Sequence, residues 1–123
     1  MSKISSDIRL MSSGPRTGFR EITIPAVLPG SSIMPGKMNP VIPELMMQIY
    51  FLVFGNDAAI TLAAERGELE LNIWESVVIK CFFESCRMLE RAMPLIGKYC
   101  IEGIEADRKQ CMDGVERSAA TAA

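Results

Sequence analysis

Residues 30–40 are the segment that most constrains how this chain can fold. The segment contains two glycines, two prolines and two serines, together with Lys37 and Asn39. It has neither the period of about 3.6 residues that marks a helix nor the alternation of a strand, so it predicts a loop. The pattern turns helical and apolar directly after Pro40, so this 30–40 loop should end on the N-terminus of a helix.

That helix is predicted over about 41–66, with Gly67 near its end. Apolar residues recur three and four positions apart through this range, as expected for a helix that packs through one face. The opposite side, around Tyr50 and Phe51, is apolar as well, and a helix that is apolar nearly all round is usually buried between several neighbours. We expect Asn39 to cap this helix through its side-chain carbonyl.

Two further segments carry helix signals. Asn72 followed three residues later by Glu75 resembles a capping box and predicts the start of a second long helix, which should reach about residue 100. The apolar stripe of that helix is predicted at Ile73, Val77, Cys81, Phe82, Cys86, Leu89, Met93, Ile96 and Cys100. Asp107 with Gln110 predicts a cap for a short final helix that ends near residue 118.

The N-terminal part of the chain is less regular. Helical spacing of apolar residues predicts a short helix over about 3–11, which the cluster around Gly14 and Pro15 should end. The extended residues 22–25 predict a loop or a small two-stranded ribbon. Asn56 and Asp57 interrupt the apolar stripe of the long helix, and they could either pair across a bundle or face solvent.

These elements predict an all-α chain in three parts. Residues 1–39 form the end of a helix, an irregular connection and most of the 30–40 loop; residues 40–118 form a segment of long antiparallel helices; residues 119–123 look like a truncated continuation. Apolar residues make up 49% of the chain, and two long helices cannot bury that much apolar surface against each other. Assembly into a larger helical bundle is therefore expected.

Composition argues against several classes of function. A net charge of −2 without a basic stripe gives little support for nucleic-acid binding. The most apolar run, residues 45–54, is too short to span a bilayer and no signal-peptide pattern is present, so we expect a cytoplasmic protein with no membrane partner.

Histidine and cysteine usage bears on the chemistry. The chain has no histidine and no Cys-x-x-Cys pair, so we expect no zinc site and no Ser-His or Cys-His catalytic pair within this chain. Neither another metal nor a cofactor is expected. The four cysteines are interpreted as buried thiols in a reducing cytosol.

The residues of the 30–40 loop suggest an anion site. Its two serine hydroxyls, the amine of Lys37, the amide of Asn39 and the positive end of the following helix could bind a small carboxylate or phosphate. Gly30 and Gly36 would let the backbone approach a ligand closely. On composition alone, a plain Gly/Ser/Pro surface loop is the alternative.

The residue pattern of the loop resembles the signature loop of the fumarase/aspartase superfamily. Eight of its eleven positions match: Gly30, Ser31, Ser32, Met34, Pro35, Lys37, Asn39 and Pro40. Further similar stretches are 12–16, 55–57, 69–72 and 100–104, and residues 39–44 and 67–72 are closest to the aspartase branch. Since members of this superfamily run to several hundred residues, the chain resembles an internal piece of such an enzyme.

The resemblance implies a fold, a reaction and a set of site residues. The long helices would form part of the central helical bundle of a homotetrameric lyase, which converts L-aspartate into fumarate and ammonia through an enediolate. Carried over by position, Ser31 is the catalytic base. Substrate-binding positions are Ser32, Ile33, Met34, Lys37 and Asn39, and Glu44 is a supporting position that organises the loop.

Other interpretations remain open at the level of sequence. A fumarase or another lyase of the superfamily would release the same product from a different substrate. From a different class, the chain could be a non-catalytic helical assembly module, although the presence of Ser31, Lys37 and Asn39 argues against a decayed loop. By the same resemblance, the remaining active-site segments come from other parts and other chains of the tetramer, so this chain is expected to be inactive in isolation.

Overall fold

The computed structural model of the protein describes residues 1–30, 32–34 and 36–119. Four α-helices account for most of these residues, and two short strands pair into a ribbon. In chain order the elements are α1 (Ser2–Met11), β1 (Ile22–Thr23), α2 (Val41–Glu65), α3 (Glu75–Tyr99), a 3₁₀ turn (Ile101–Gly103), β2 (Glu105–Ala106) and α4 (Arg108–Glu116).

Helices α2 and α3 form an antiparallel hairpin of 25 residues each. Helix α1 packs against α2, and the core lies where α1, the start of α2 and the end of α3 meet. Met46 and Ala92 are its most buried apolar members on the two long helices, each 2% exposed. Because this core sits at the end of the hairpin next to the 30–40 loop, it fixes the base from which the loop projects.

The all-α fold and most helix bounds are confirmed. Helix α2 was predicted over about 41–66, and Asp107 caps α4 as predicted by accepting a hydrogen bond from the Gln110 N–H at 3.1 Å. The extended residues 22–25 contain β1, which pairs antiparallel with β2 and places Ile22 opposite Ala106. The two-stranded alternative is therefore the correct one, with a partner more than eighty residues away.

The prediction of a capping box at Asn72 is wrong. Helix α3 begins at Glu75, its N-terminal flanking residue is Trp74, and no side chain caps it. Asn72 instead closes the turn between the long helices: its Nδ2 donates to the Ala63 carbonyl at 2.9 Å, and its Oδ1 accepts from the Trp74 N–H at 2.9 Å. Both polar atoms of its side chain are thus hydrogen-bonded within the turn, and neither caps α3.

The predicted stripe of α3 is only partly buried. Cys81, Ile96 and Cys100 are buried as predicted, but Phe82 and Met93 are exposed. The buried face also uses Ala92, which is 2% exposed, while Phe82, Phe83 and Met93 are about half exposed. Apolar character alone therefore does not decide which side of α3 packs within this chain.

Helix α2 also meets a length and composition criterion for a membrane span. An 18-residue window within this helix has a mean hydropathy of 1.4, and 6% of that window is buried in this chain. The expectation of no membrane partner was based on the shorter 45–54 run, whereas the whole helix is long enough. This is weak evidence for a membrane, because core helices of soluble proteins meet the same criterion.

Candidate functional site

The 30–40 loop is closed at its base by backbone contacts. The Gly30 N–H donates to the Lys37 carbonyl at 2.8 Å, and Pro29 and Met38 form an antiparallel bridge beside it. The two arms approach so closely that a Cβ on Gly30 would lie 2.3 Å from the Lys37 oxygen. Glycine is therefore required at residue 30 by the packing of backbone against backbone, whereas sequence analysis assigned it to the close approach of a ligand.

Asn39 braces this loop and does not cap α2. Its Nδ2 donates to the Gly30 carbonyl at 3.1 Å, across the neck of the loop. The N-terminal flanking residue of α2 is Pro40, with no side-chain cap, and the Val41 N–H donates to the Asn39 backbone carbonyl at 2.8 Å. The predicted cap is thus wrong, because the side chain turns back onto the loop and leaves the helix end without a side-chain partner.

Lys37 and Asn39 line one cavity of about 560 Å³. The opposite walls come from β1 and the residues that follow it, from the turn at residues 12–15, and from Arg20. Two of the described lining residues, Arg20 and Lys37, are cations and none is acidic. A cavity with this lining favours a small anion, since a charge-assisted hydrogen bond to a cation is stronger than one between neutral groups.

The other sequence-predicted positions lie elsewhere. Ser32, Ile33 and Met34 are exposed at the tip of the loop, with Ile33 87% exposed, and they are not among the residues that line this cavity. Ser31, the predicted base, lies outside the described residues. The structure therefore brings together Lys37 and Asn39, two of the predicted substrate-binding residues, and it leaves the predicted roles of Ser31, Ser32, Ile33 and Met34 as predictions.

Glu44 lies in the first turn of α2 and forms an ion pair with α1. Its Oε1 is 3.6 Å from Nη2 of Arg9, and both side chains are about two-fifths exposed (38% and 40%). Arg9 also donates from Nη1 to the sulfur of Met47 at 3.8 Å. Glu44 thus joins the helix that carries the loop to α1, and a role in organising the loop stays a prediction.

Arg20 is the cavity residue that sequence analysis missed. Its backbone lies in the left-handed region with φ of 51°, and its N–H donates to the Ser13 carbonyl at 2.8 Å. Its Nη2 is 3.4 Å from Oδ2 of Asp107, the residue that caps α4. No local pattern marks this arginine, because its place in the cavity depends on the fold bringing residues 12–15, 20 and 107 together.

Asn56 and Asp57, whose roles the sequence left open, are now placed. Asn56 joins the long helices, with Nδ2 3.1 Å from Ser85 Oγ and 3.5 Å from Glu84 Oε2. Asp57 is exposed. Arg16 is exposed as well, and within the described part of the chain it forms no ion pair.

The cysteines do not all have the predicted environment. Cys81 and Cys100 are buried, but Cys86 is exposed and Cys111 is half-buried, so the interpretation of four buried thiols is wrong for the last two. Burial raises the pKa of the Cys100 thiol above its ordinary value. Among the residues that the structure describes, no cluster of three or more histidine, cysteine, aspartate or glutamate side chains is placed to hold a metal ion.

Comparisons with known proteins give the class of this fold and loop. A family model described as lyase matches residues 1–55. The crystal structure of a fumarate lyase/delta-crystallin from Brucella melitensis, bound to cobalt, superposes with a TM-score of 0.90 at 51% sequence identity; the match covers 97% of this chain and 26% of that one. A class II fumarase from Schistosoma mansoni gives a TM-score of 0.91 at 32% identity, over 95% of this chain and 24% of that one.

Over nearly its whole length the chain is therefore similar to lyases of the fumarase/aspartase superfamily, and it has their helical fold. An aspartate ammonia-lyase from Pseudomonas fluorescens is 54% identical to it over 118 residues, or 96% of this chain. The matched region is 25% of that protein, so the chain spans about a quarter of the length of the curated relatives it matches. The resemblance drawn from the 30–40 loop is confirmed.

Proposed function

We propose that this chain is the part of an L-aspartate ammonia-lyase that carries the substrate-binding loop. The observation that supports this most strongly is the convergence of Lys37 and Asn39 on one cavity with cationic and no acidic described side chains, in a chain half identical to aspartate ammonia-lyases. A dicarboxylate such as L-aspartate has the charge that such a cavity favours. The reaction is elimination of ammonia to give fumarate.

The proposed chemistry begins with proton removal. Ser31, as an alkoxide, takes the proton from the carbon next to the side-chain carboxylate, and the electron pair moves onto that carboxylate to form an enediolate. Ser32 and the backbone of Ile33 and Met34 bind this carboxylate. When the enediolate collapses, the carbon–nitrogen bond breaks and ammonia leaves with its electron pair. Because charge develops on one carboxylate only, donors aimed at it supply the largest share of catalysis.

The second carboxylate keeps its charge throughout the reaction. In this proposal it is bound by the amine of Lys37 and by the amide of Asn39, which also braces the loop. Interactions of this kind act on the ground state and the transition state alike, so they lower the KM more than they raise the turnover number.

The test of the proposed base uses a full-length lyase that carries this sequence. Ser31→Ala should lower the turnover number about 100- to 10,000-fold, the usual contribution of a general base, and leave the affinity for a non-reacting dicarboxylate nearly unchanged. Lys37→Ala should weaken that affinity. Ser76→Ala, an exposed serine at the start of α3, is the matched control and should leave both quantities unchanged. Near-normal turnover by Ser31→Ala would refute the serine base.

A related lyase activity is the second candidate function. The fold is shared with a class II fumarase at a TM-score of 0.91. Identity to that fumarase is 32%, against 54% to the aspartate ammonia-lyase, and this favours L-aspartate over L-malate as the substrate. A non-catalytic helical assembly module is less well supported, because it gives no reason for the cationic cavity.

We further propose that the chain functions as part of a homo-oligomer, a tetramer in the full-length enzyme, in the cytoplasm. The described fold has a solvent-accessible surface of 9538 Å², whereas a compact monomer of this mass would expose about 6,600 Å². Part of the exposed surface is apolar side chain on the long helices, where Phe51, Phe54, Phe82 and Phe83 are each more than half exposed. An isolated chain with such faces should self-associate and, because it carries only one loop of the proposed site, should not release fumarate.

A further inference from the structure

Arg20 is built into the wall of the cavity that Lys37 and Asn39 line. Its left-handed backbone, with φ of 51°, is held in place by the hydrogen bond from its N–H to the Ser13 carbonyl. A residue other than glycine is strained in this conformation. The position is thus held by surrounding contacts, and it directs a long cationic side chain to the cavity.

The ion pair with Asp107 uses only part of the guanidinium. One nitrogen, Nη2, is 3.4 Å from Oδ2 of Asp107, and the other carboxylate oxygen, Oδ1, accepts from the Gln110 N–H at 3.1 Å. A guanidinium has five N–H donors, so most of them remain for a ligand. The side chain of Arg20 is 56% exposed and that of Asp107 25%, so the arginine stays accessible to a ligand while it is paired.

We infer that Arg20 is a third binding residue for the substrate carboxylate that Lys37 and Asn39 hold. This inference rests on the proposed function and deepens it. A guanidinium presents parallel N–H groups that match the two oxygens of a carboxylate, whereas a lysine amine acts as a point charge, so the two cations are complementary. Since this carboxylate keeps its charge during elimination, Arg20 acts on substrate binding and leaves the chemical step unaffected.

The test compares variants of a full-length lyase that carries this sequence, with succinate as a non-reacting dicarboxylate probe. In Arg20→Gln, the Kd for succinate by titration calorimetry should rise about tenfold, and the KM for L-aspartate should rise with it, while the turnover number stays within about twofold. Arg20→Lys should lie between the wild type and Arg20→Gln. Arg108→Gln removes the same charge from the start of α4, away from the cavity lining, and should leave the Kd unchanged.

Asp107→Asn separates ligand binding from a purely structural ion pair. Asparagine caps a helix about as well as aspartate does, so α4 should keep its start. If Arg20 serves only to tie the segment before β1 to α4 through Asp107, then Asp107→Asn should weaken succinate binding as much as Arg20→Gln does, and the inference is overturned. If Arg20 binds the carboxylate, Asp107→Asn frees the guanidinium and should bind succinate at least as tightly as the wild type.

The remaining outcomes are also decisive. A wild type that binds succinate but releases no fumarate from L-aspartate would end the proposed function, and the change of Kd in Arg20→Gln would still decide this inference. Arg20→Gln with wild-type affinity, or a wild type without affinity for succinate, would overturn the inference. Circular dichroism checks folding; if Arg20→Gln does not fold, Arg20→Lys decides, because wild-type affinity in that variant would equally refute a requirement for the guanidinium.

Discussion

Gly30→Ala is the substitution whose effect can be worked most directly from the structure. An added Cβ would lie 2.3 Å from the carbonyl oxygen of Lys37 and 2.7 Å from its carbonyl carbon. Real Cβ atoms keep at least 3.0 Å from such atoms, so the two arms of the 30–40 loop must separate by about 0.7 Å, the difference between 3.0 and 2.3 Å. The hydrogen bond from the Gly30 N–H to that same oxygen, 2.8 Å long, must stretch as a result.

The displacement moves the residue proposed to hold a substrate carboxylate. A misplacement of about 1 Å in a binding or catalytic group costs about 100-fold in rate, so kcat/KM for L-aspartate should fall about 10- to 100-fold in a full-length lyase that carries Gly30→Ala. The stability of the fold should fall by only about 1 kcal/mol, the net value of one hydrogen bond, because the core around Met46 is not disturbed. Fumarate absorbance gives the first quantity and urea unfolding the second.

Gly97→Ala is the matched control. Residue 97 lies inside α3, and a Cβ there would meet nothing within 4 Å of it in this chain. Alanine is favoured over glycine in a helix by about 0.5–1 kcal/mol, so Gly97→Ala should keep its activity and gain stability. If Gly30→Ala kept wild-type kcat/KM, the closed neck of the 30–40 loop would not position Lys37, and the reasoning above would be wrong.

Three further predictions concern the helices and their assembly. Asn72→Ala removes both hydrogen bonds that close the α2–α3 turn, so it should lower the free energy of unfolding by about 1–3 kcal/mol in urea titrations, and Asn72→Asp, which keeps the acceptor, should lose less. Burial raises the pKa of the Cys100 thiol above its ordinary value of 9.0, so the folded state holds that proton more tightly than the unfolded state does. The contribution of this group to the free energy of unfolding is therefore complete below pH 9 and is lost as the pH rises through the raised pKa. Cys100→Ala should remove that decline in urea titrations at alkaline pH. The isolated chain should self-associate in light scattering across a dilution series, and a monomer at high micromolar concentration would contradict this.

Elements with strong local signals could be predicted from the sequence. The apolar period and the preceding loop locate α2 to within a residue at each end. Asp107 and Gln110 carry a complete capping signal three residues apart, and the cap is present. In both cases the interactions that determine the structure lie within a few residues of one another, so the local sequence is sufficient to predict them.

Elements that depend on distant contacts could not be predicted in the same way. Asn39 and Asn72 both precede a helix and both resemble caps, but each reaches back nine residues, to Gly30 and to Ala63. Their local sequences do not distinguish a cap from a brace, because the choice depends on where the earlier backbone lies.

The cavity shows the same limit. The residue pattern of the 30–40 loop predicts Lys37 and Asn39 as site residues. Arg20, in contrast, lines the cavity with a left-handed backbone and an ion pair to a residue 87 positions later. No periodicity or motif encodes that juxtaposition. The outward face of α3 was missed for a related reason, since apolar character alone does not tell a face that packs within the chain from one that is exposed on it.

The central claim is that this chain carries the substrate-binding loop of an aspartate ammonia-lyase. The most direct measurement is the release of fumarate, followed by its ultraviolet absorbance, when a full-length lyase with this sequence is given L-aspartate and, separately, L-malate. We predict fumarate from L-aspartate, with equimolar ammonia, and none at a comparable rate from L-malate. Fumarate from L-malate alone, or from neither substrate, would contradict the claim.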